Sequence, residues 1–312
     1  MNGNKDKEEK KVVLAYLAVC IFWGSTYLAI RIGVSELPAT IFAGVRFLVA
    51  GSIMLAFAKL KGLEFPKKTV DIKRIAIVGM FLLLGGNGLV VWGEKWVSSG
   101  MTSLIVATGP LYTAIIETFF TRSKSMNIKG WCGILMGFVG VGLLVLPNLS
   151  TGATSAKGVI FVMLSAILWS SGSIYSKSFK ASGSVVTHIG IQMLSGGIGL
   201  SIIGTFLGEL PKIQLTGRGV GALLYLVLFG SIVGYSCYIY ILQKWPASKA
   251  STYAYVNPVV AVLLGAVILK EAVSITILVS TVVILVGVFL VQTSGAAEVS
   301  QQEKVNGESI AE

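Results

Sequence analysis

Arg46 stands inside an apolar run, where a guanidinium that keeps its charge costs about 2.5–3.5 kcal/mol or more if it meets hydrocarbon. It must face other protein or a wet cavity, and there it could hold an anionic group of a ligand, such as a carboxylate. Snorkelling to one surface, or a structural bond to carbonyls, is the plainer alternative. Trp23 and Trp169 lie near the middle of their own apolar runs. Tryptophan prefers the membrane interface, so a belt role does not explain them. They could wall a central cavity, with Ser25, Thr26, Tyr27 and Ser173 nearby; helix packing accounts for them equally well.

Other polar groups share this setting. Asn87, in Gly85-Gly86-Asn87-Gly88, is an amide that needs a partner among glycines that admit close helix approach. Tyr235, Tyr238, Tyr253 and Tyr255 would give two later runs a polar aromatic lining. Pro110 and Pro258 fall near mid-run, after Gly109 and Asn257. A proline there removes one backbone hydrogen bond and frees a carbonyl, making a hinge, a ligand-facing carbonyl or a static kink. Glu117 is the one acid plainly inside an apolar run. By elimination it is the candidate for a coupled proton, against the plainer reading of a helix-end acid paired with Arg122 or Lys124. With Gln192, which a repeat places opposite Arg46, the candidate ligand-binding set is Trp23, Tyr27, Arg46, Asn87, Trp169, Gln192, Tyr235, Tyr253 and Asn257.

Several chemistries have no residues to carry them. No GxxxxGK[ST] loop is present, so the chain is not itself an ATP-driven pump. No Ser-His-Asp constellation or HExxH occurs, so no catalytic residue and no enzyme activity are expected. Cys20, Cys132 and Cys237 lie in apolar runs without a CxxC, and His188 is the only histidine, so no metal and no cofactor are expected.

The elements that must position these groups follow from composition. The chain has 312 residues, 54% apolar and 12% charged, with mean hydropathy +0.82. A soluble domain carries about 25% charged residues, and so little polar surface could not cover a water-exposed fold. A helix needs roughly 20 apolar residues to cross a bilayer. That measure predicts ten spans, at 13–34, 39–58, 73–92, 100–119, 128–146, 157–178, 185–208, 218–241, 249–269 and 274–292. Glycine-rich aliphatic runs of this length are helices; barrel strands would be half as long and would alternate. The expected fold is an all-α membrane protein.

The net charge of +11 comes from Lys and Arg in short loops and tails. Placing both termini in the cytoplasm puts about three such residues inside for each one outside, as the positive-inside rule requires. No basic face accompanies the charge, which argues against nucleic acid. Residues 1–12 are expected to form a cytoplasmic tail, and 294–312 a disordered one. The first run is too long for a signal-peptide core. The expected location is the cell (inner) membrane, multi-pass, with the bilayer as a partner.

An internal repeat organises the spans. Trp23-Gly24-Ser25 matches Trp169-Ser170-Ser171 at an offset of 146, and Arg46 falls on Gln192 at the same offset. Ser103 and Pro110 match Ser251 and Pro258 at 148, and Lys95-Trp96 matches Lys244-Trp245. The two units, 13–147 and 157–293, each hold five spans. Five is odd, so the second unit must enter the membrane upside down. Two inverted-topology five-helix repeats can exchange conformations and turn an inward-open cavity outward, as many secondary transporters do. Gly133 and Gly137 form a GxxxG, a signal for helix packing or for a homodimer.

These features resemble the EamA-type members of the drug/metabolite transporter superfamily. The resemblance rests on Phe22-Trp23-Gly24-Ser25-Thr26, Arg46-Phe47, Pro110-Leu111, Asn257-Pro258-Val259 and Leu269-Lys270-Glu271, and covers nearly all of 13–292. It implies ten helices in two inverted repeats around a central cavity, with spans 5 and 10 mostly structural. It implies export or exchange of small metabolites, amino acids or drug-like compounds by alternating access, with protons as a further candidate partner. A passive facilitator of the same fold is the nearest alternative, and a non-transporting receptor or scaffold the alternative of another class. Family members often carry an acid after span 4 as well as after span 9; here Ser123 stands opposite Glu271.

Overall fold

The computed structural model describes residues 2–120, 127–150, 152, 154–245 and 250–308. Among them no strand occurs. Eight helices are long and apolar enough to cross a membrane: α1 (Glu8–Glu36), α2 (Ala39–Leu60), α3 (Thr69–Gly93), α4 (Ser99–Phe119), α5 (Ile128–Ser150), α6 (Ala156–Lys177), α7 (Val185–Phe206) and α8 (Gly217–Lys244). Two shorter apolar helices follow, α9 (Thr252–Ile268) and α10 (Ile275–Val291).

The helix ends differ from expectation in three places. Helix α1 begins at Asn2, so the polar tail extends it instead of preceding it. A 2.7 Å ion pair between Glu8 and Lys244 ties this extension to the end of α8. Helix α10 continues to Glu308, where low apolar content had predicted disorder. Ala297, Glu298, Gln301 and Gln302 are good helix formers and no proline interrupts them. The fifth span, expected to end at residue 146, continues through Pro147 to Ser150. Arg122, Ser123 and Lys124 lie outside the described residues.

Packing is unchanged in kind when the two halves are exchanged. Helix α1 packs on α8 and α9 as α6 packs on α3 and α4; α2 meets α8 as α7 meets α3. Three further pairs, α2 with α7, α4 with α9 and α5 with α10, map onto themselves. Within hydrocarbon, close approach rather than hydrophobic exclusion holds such pairs together. The GxxxG of α5 serves this purpose: Gly133 and Gly137 receive Gly287 of α10, whose Cβ, if it had one, would lie 2.5 Å from the Gly137 nitrogen. This small-residue face is filled from within the chain.

Carboxylates stitch the helix ends across the halves. Glu209, after α7, accepts hydrogen bonds from the Thr40 and Ile41 amides at the start of α2, both at 3.0 Å. Glu271, after α9, does the same for Ser99 and Gly100 at the start of α4, at 3.0 and 3.2 Å. Each satisfies amides that a helix leaves unpaired at its first turn. Lys270 is in the left-handed region (φ 56°), which lets the Glu271 N–H bond back to the Gly265 carbonyl and turns its side chain towards α4. The Glu271 carboxylate thus caps α4.

Gly287→Leu is expected to force α5 and α10 apart at a cost of roughly 1–3 kcal/mol or more. It should lower the melting temperature of the purified protein. Gly142→Leu on the same α5 helix, where nothing lies within 4 Å of an added Cβ, should leave it nearly unchanged.

Candidate substrate cavity

Among the described residues four helices, α3, α4, α8 and α9, depart from regular α-helix or are interrupted where they approach the bundle centre, and two of the departures are π-helical. The backbone widens over Met80–Asn87 in α3 and over Leu226–Tyr235 in α8. The starts of these stretches are separated by the same 146 residues as the tryptophans. A π-helical turn shifts carbonyls off their usual partners and is frequent at functional sites. One such carbonyl, of Gly230, accepts the Trp23 indole N–H at 3.0 Å.

Helices α4 and α9 are broken instead. Helix α4 stops at Val106 and restarts at Gly109; in α9 a 3₁₀ stretch, Ser251–Tyr255, gives way to a helix from Asn257. Pro110 and Pro258 therefore sit in the first turn of a new segment, where a missing N–H costs nothing, and not in an unbroken helix. The Gly109 carbonyl accepts the Ser170 hydroxyl at 3.0 Å and the Thr113 hydroxyl at 3.1 Å.

These irregular segments surround a narrow cavity of about 60 Å³. One water needs roughly 10–15 Å³, so the space holds a few waters. Its walls include Trp23, Tyr27, Arg46, Asn87, Trp169, Tyr235, Tyr253 and Asn257. Trp23 and Trp169 meet edge to face with centroids 5.4 Å apart, and Tyr253 packs against Trp23 at 5.1 Å. Tyr238, which the sequence reading left outside the candidate set, sits beneath both tryptophans at 5.1 and 5.3 Å and shares a 2.7 Å hydrogen bond with Ser173.

Arg46 is 3% exposed. Its Nε donates to Ser231 at 2.8 Å and its Nη1 to Asn87 at 3.2 Å. Both partners are neutral, and among the described residues no carboxylate pairs with it. Nη2 has no hydrogen-bond partner among the described residues and stands where a Cβ on Gly230 would approach to 2.8 Å. A second unsatisfied group is the Asn257 Oδ1, which is buried without a partner. The cavity thus offers a cation with spare donors, an amide acceptor and aromatic walls.

Gln192 is the one member of the candidate set that does not line this cavity. Its Oε1 accepts the Tyr235 hydroxyl at 2.8 Å, and it faces a second space of about 430 Å³ with Lys177, Lys180, His188 and Gln243. A third space, of about 460 Å³, is lined by Arg31, Lys95, Ser98, Arg218 and Glu271. The second lies where α3 begins and α8 ends, the third where α3 ends and α8 begins, so they occupy opposite ends of the bundle. Lys177 closes one end by donating to the Trp245 carbonyl at 3.0 Å, and Arg31 closes the other by donating to the Glu94 carbonyl. Arg31 and Lys177 are again 146 residues apart. That offset could have revealed this clasp; the sequence reading missed it because both cations resemble ordinary helix-end charges. Glu117 lies at the Lys177 end and interacts with that lysine's charge, not with the cavity.

An all-helical arrangement of many apolar helices, repeated in its two halves around a polar cavity, is the build of a membrane transporter. The chain belongs to the EamA-like transporter family, whose model matches residues 10–146 and again 156–293. It is 38% identical over 252 residues to the inner membrane transporter YedA of Escherichia coli, covering 80% of each chain. It is 27% identical to the transporter YoaV of Bacillus subtilis, covering 90% of this chain and 96% of that one. Among solved structures, one protein superposes with a TM-score of 0.65 at 16% identity, over 90% of this chain and 97% of the other, a likeness of fold.

Tyr235→Phe is expected to cost about 1–3 kcal/mol, because it leaves the buried Gln192 acceptor unsatisfied. Adding Gln192→Leu should recover most of the loss, since removing both partners removes the orphan. Melting of the two variants and the double variant in detergent measures this coupling.

Proposed function

We propose that this protein is a secondary transporter of the inner membrane. It moves small organic anions or zwitterions, amino acids among them, by alternating access, and exports them. In this reading ten helices span the bilayer as two inverted repeats, including the shorter α9 and α10. Both termini are cytoplasmic, so the Arg31 end faces outward and the Lys177 end inward. The excess of Lys and Arg on the cytoplasmic side supports the orientation. The name of YedA supports the inner membrane.

One observation carries the substrate class. Arg46 is a buried cation with no counter-charge, at a cavity between two cation-lined vestibules. A fixed positive charge with spare N–H donors is matched by a carboxylate, which takes guanidinium hydrogen bonds in a paired geometry. The tryptophan and tyrosine rings would receive an apolar substrate body. The small cavity, with a vestibule beyond each end, corresponds to an occluded state. Pro110 and Pro258, at the breaks of α4 and α9, are the hinges in this mechanism: each allows the half-helix beyond it to tilt without breaking a regular hydrogen-bond ladder.

Purified protein in liposomes loaded with mixed amino acids and small carboxylates tests this. Efflux above that of empty liposomes is the expected result. Arg46→Ala should reduce efflux of anionic and zwitterionic compounds about tenfold or more, as removal of a buried charge partner does. Cationic amines should change less than about twofold on the same argument. Equal losses for all classes would make Arg46 structural, and no efflux of any compound would remove the transport reading.

A further inference from the structure

Glu94 follows directly after α3, at the closed Arg31 end. It is 0% exposed, and neither carboxyl oxygen has a hydrogen-bond partner. Every other described acid in a comparable position is engaged: Glu209 and Glu271 cap helices, and Asp71 accepts the Ser182 hydroxyl at 2.6 Å. Arg31 lies close to Glu94, yet its guanidinium donates to the Glu94 main-chain carbonyl and makes no ion pair with the side chain. A carboxylate held in this way would be a buried charge without hydrogen bonds, which proteins avoid by neutralising the group.

Burial is the main influence and holds the Glu94 carboxyl well above its ordinary range; the Arg31 charge from α1 works against this, and Glu271, beyond α9, adds a like charge that raises it again. Tyr27, also on α1, is the other titratable group on that side. Lys95 and Lys157, at the ends of α3 and α6, are turned onto the Trp96 ring at 5.5 and 5.0 Å. Glu209 is committed to the start of α2. Glu94 also occupies a boundary. Arg31, Lys95 and Ser98 beside it line the outer vestibule, whereas Tyr27, one turn before Arg31 on α1, lines the central cavity. In the second repeat Gln243 immediately precedes Lys244-Trp245, as Glu94 precedes Lys95-Trp96. An amide of the same shape, which cannot titrate, thus holds the matching sequence position, and there it is exposed at the other end.

We infer that Glu94 is a proton-binding site that latches the outer gate: protonated when that end is closed, and ionised when it opens. The step is a simple one. As α1 withdraws, the carboxylic acid gives its proton to water in the vestibule, and the carboxylate pairs with Arg31, whose guanidinium leaves the carbonyl. Closure requires the proton to return from outside. The inner gate, with Gln243, has no such requirement at this position. The inference rests on the alternating-access reading and goes beyond it, because it ties one gate to external pH.

The test needs no substrate. Infrared difference spectra of the purified protein should show the C=O stretch of a protonated carboxylic acid, lost as pH rises. Glu94→Gln should abolish that band and Glu117→Gln should leave it. If Glu94→Gln fails to fold, Glu94→Asp serves, since it should shift the band's frequency. Spin labels at Ser35 and Leu269, both on the outer vestibule, should report a longer separation as pH rises, after Cys20, Cys132 and Cys237 are replaced. In Glu94→Gln the short separation should persist at every pH. A band that survives Glu94→Gln, an absent pH response in the native sequence, or the same response in the variant would overturn the assignment. A pH response shared by both would leave alternating access standing and remove Glu94 alone.

Discussion

A guanidinium cannot shed its proton, so Arg46 brings a permanent charge to the centre of a bundle in which, among the described residues, no acid meets it. What the chain supplies is a set of oriented neutral dipoles. Ser231 comes from the widened turn of α8 and Asn87 from the widened turn of α3. Neither could reach the arginine from a regular helix packed as tightly as α2 and α7 are. The irregular backbone of both repeats is therefore arranged about one side chain, and the remaining donors are directed at the space where a ligand would sit.

The exchange symmetry of the packing explains how such a centre is built from few instructions. Each repeat contributes one tryptophan, one widened helix and one interrupted helix, and each tryptophan rests on the widened helix of the opposite repeat. Trp23 lies on α8 at Gly230, and Trp169 lies on α3 at Gly86. Neither half could form its share of the cavity alone, since every wall is completed from the other. Helices α5 and α10, which do not line the cavity, are joined by close glycine-to-glycine backbone contacts.

Much of this was legible in the sequence for a simple reason. In a chain that is largely aliphatic, a mid-run Trp, Arg, Asn or Pro has no bland environment available, so its position alone marks the interior. Trp23, Arg46, Asn87, Trp169 and Asn257 were found in this way, and all five meet at one cavity. The signal fails at helix ends, where charged residues are ordinary: Arg31, Lys177 and Glu94 looked like solvent-facing termini. Widened helices are also invisible, because Met80–Asn87 and Leu226–Tyr235 have unremarkable helical composition and depart from it only under tertiary packing. Proline was harder to place: Pro110 and Pro258 begin helical segments instead of interrupting a continuous helix.

The near-interchangeability of the halves has an energetic corollary. Two conformations related by swapping identical parts would be equal in free energy, and the molecule would rest in neither. Any preference between them must come from positions where the copies disagree, among them arginine against lysine at residues 31 and 177 and arginine against glutamine at 46 and 192. In the proposed carrier such mismatches act as ballast, and exchanging them between the repeats would shift which side of the membrane the empty molecule favours.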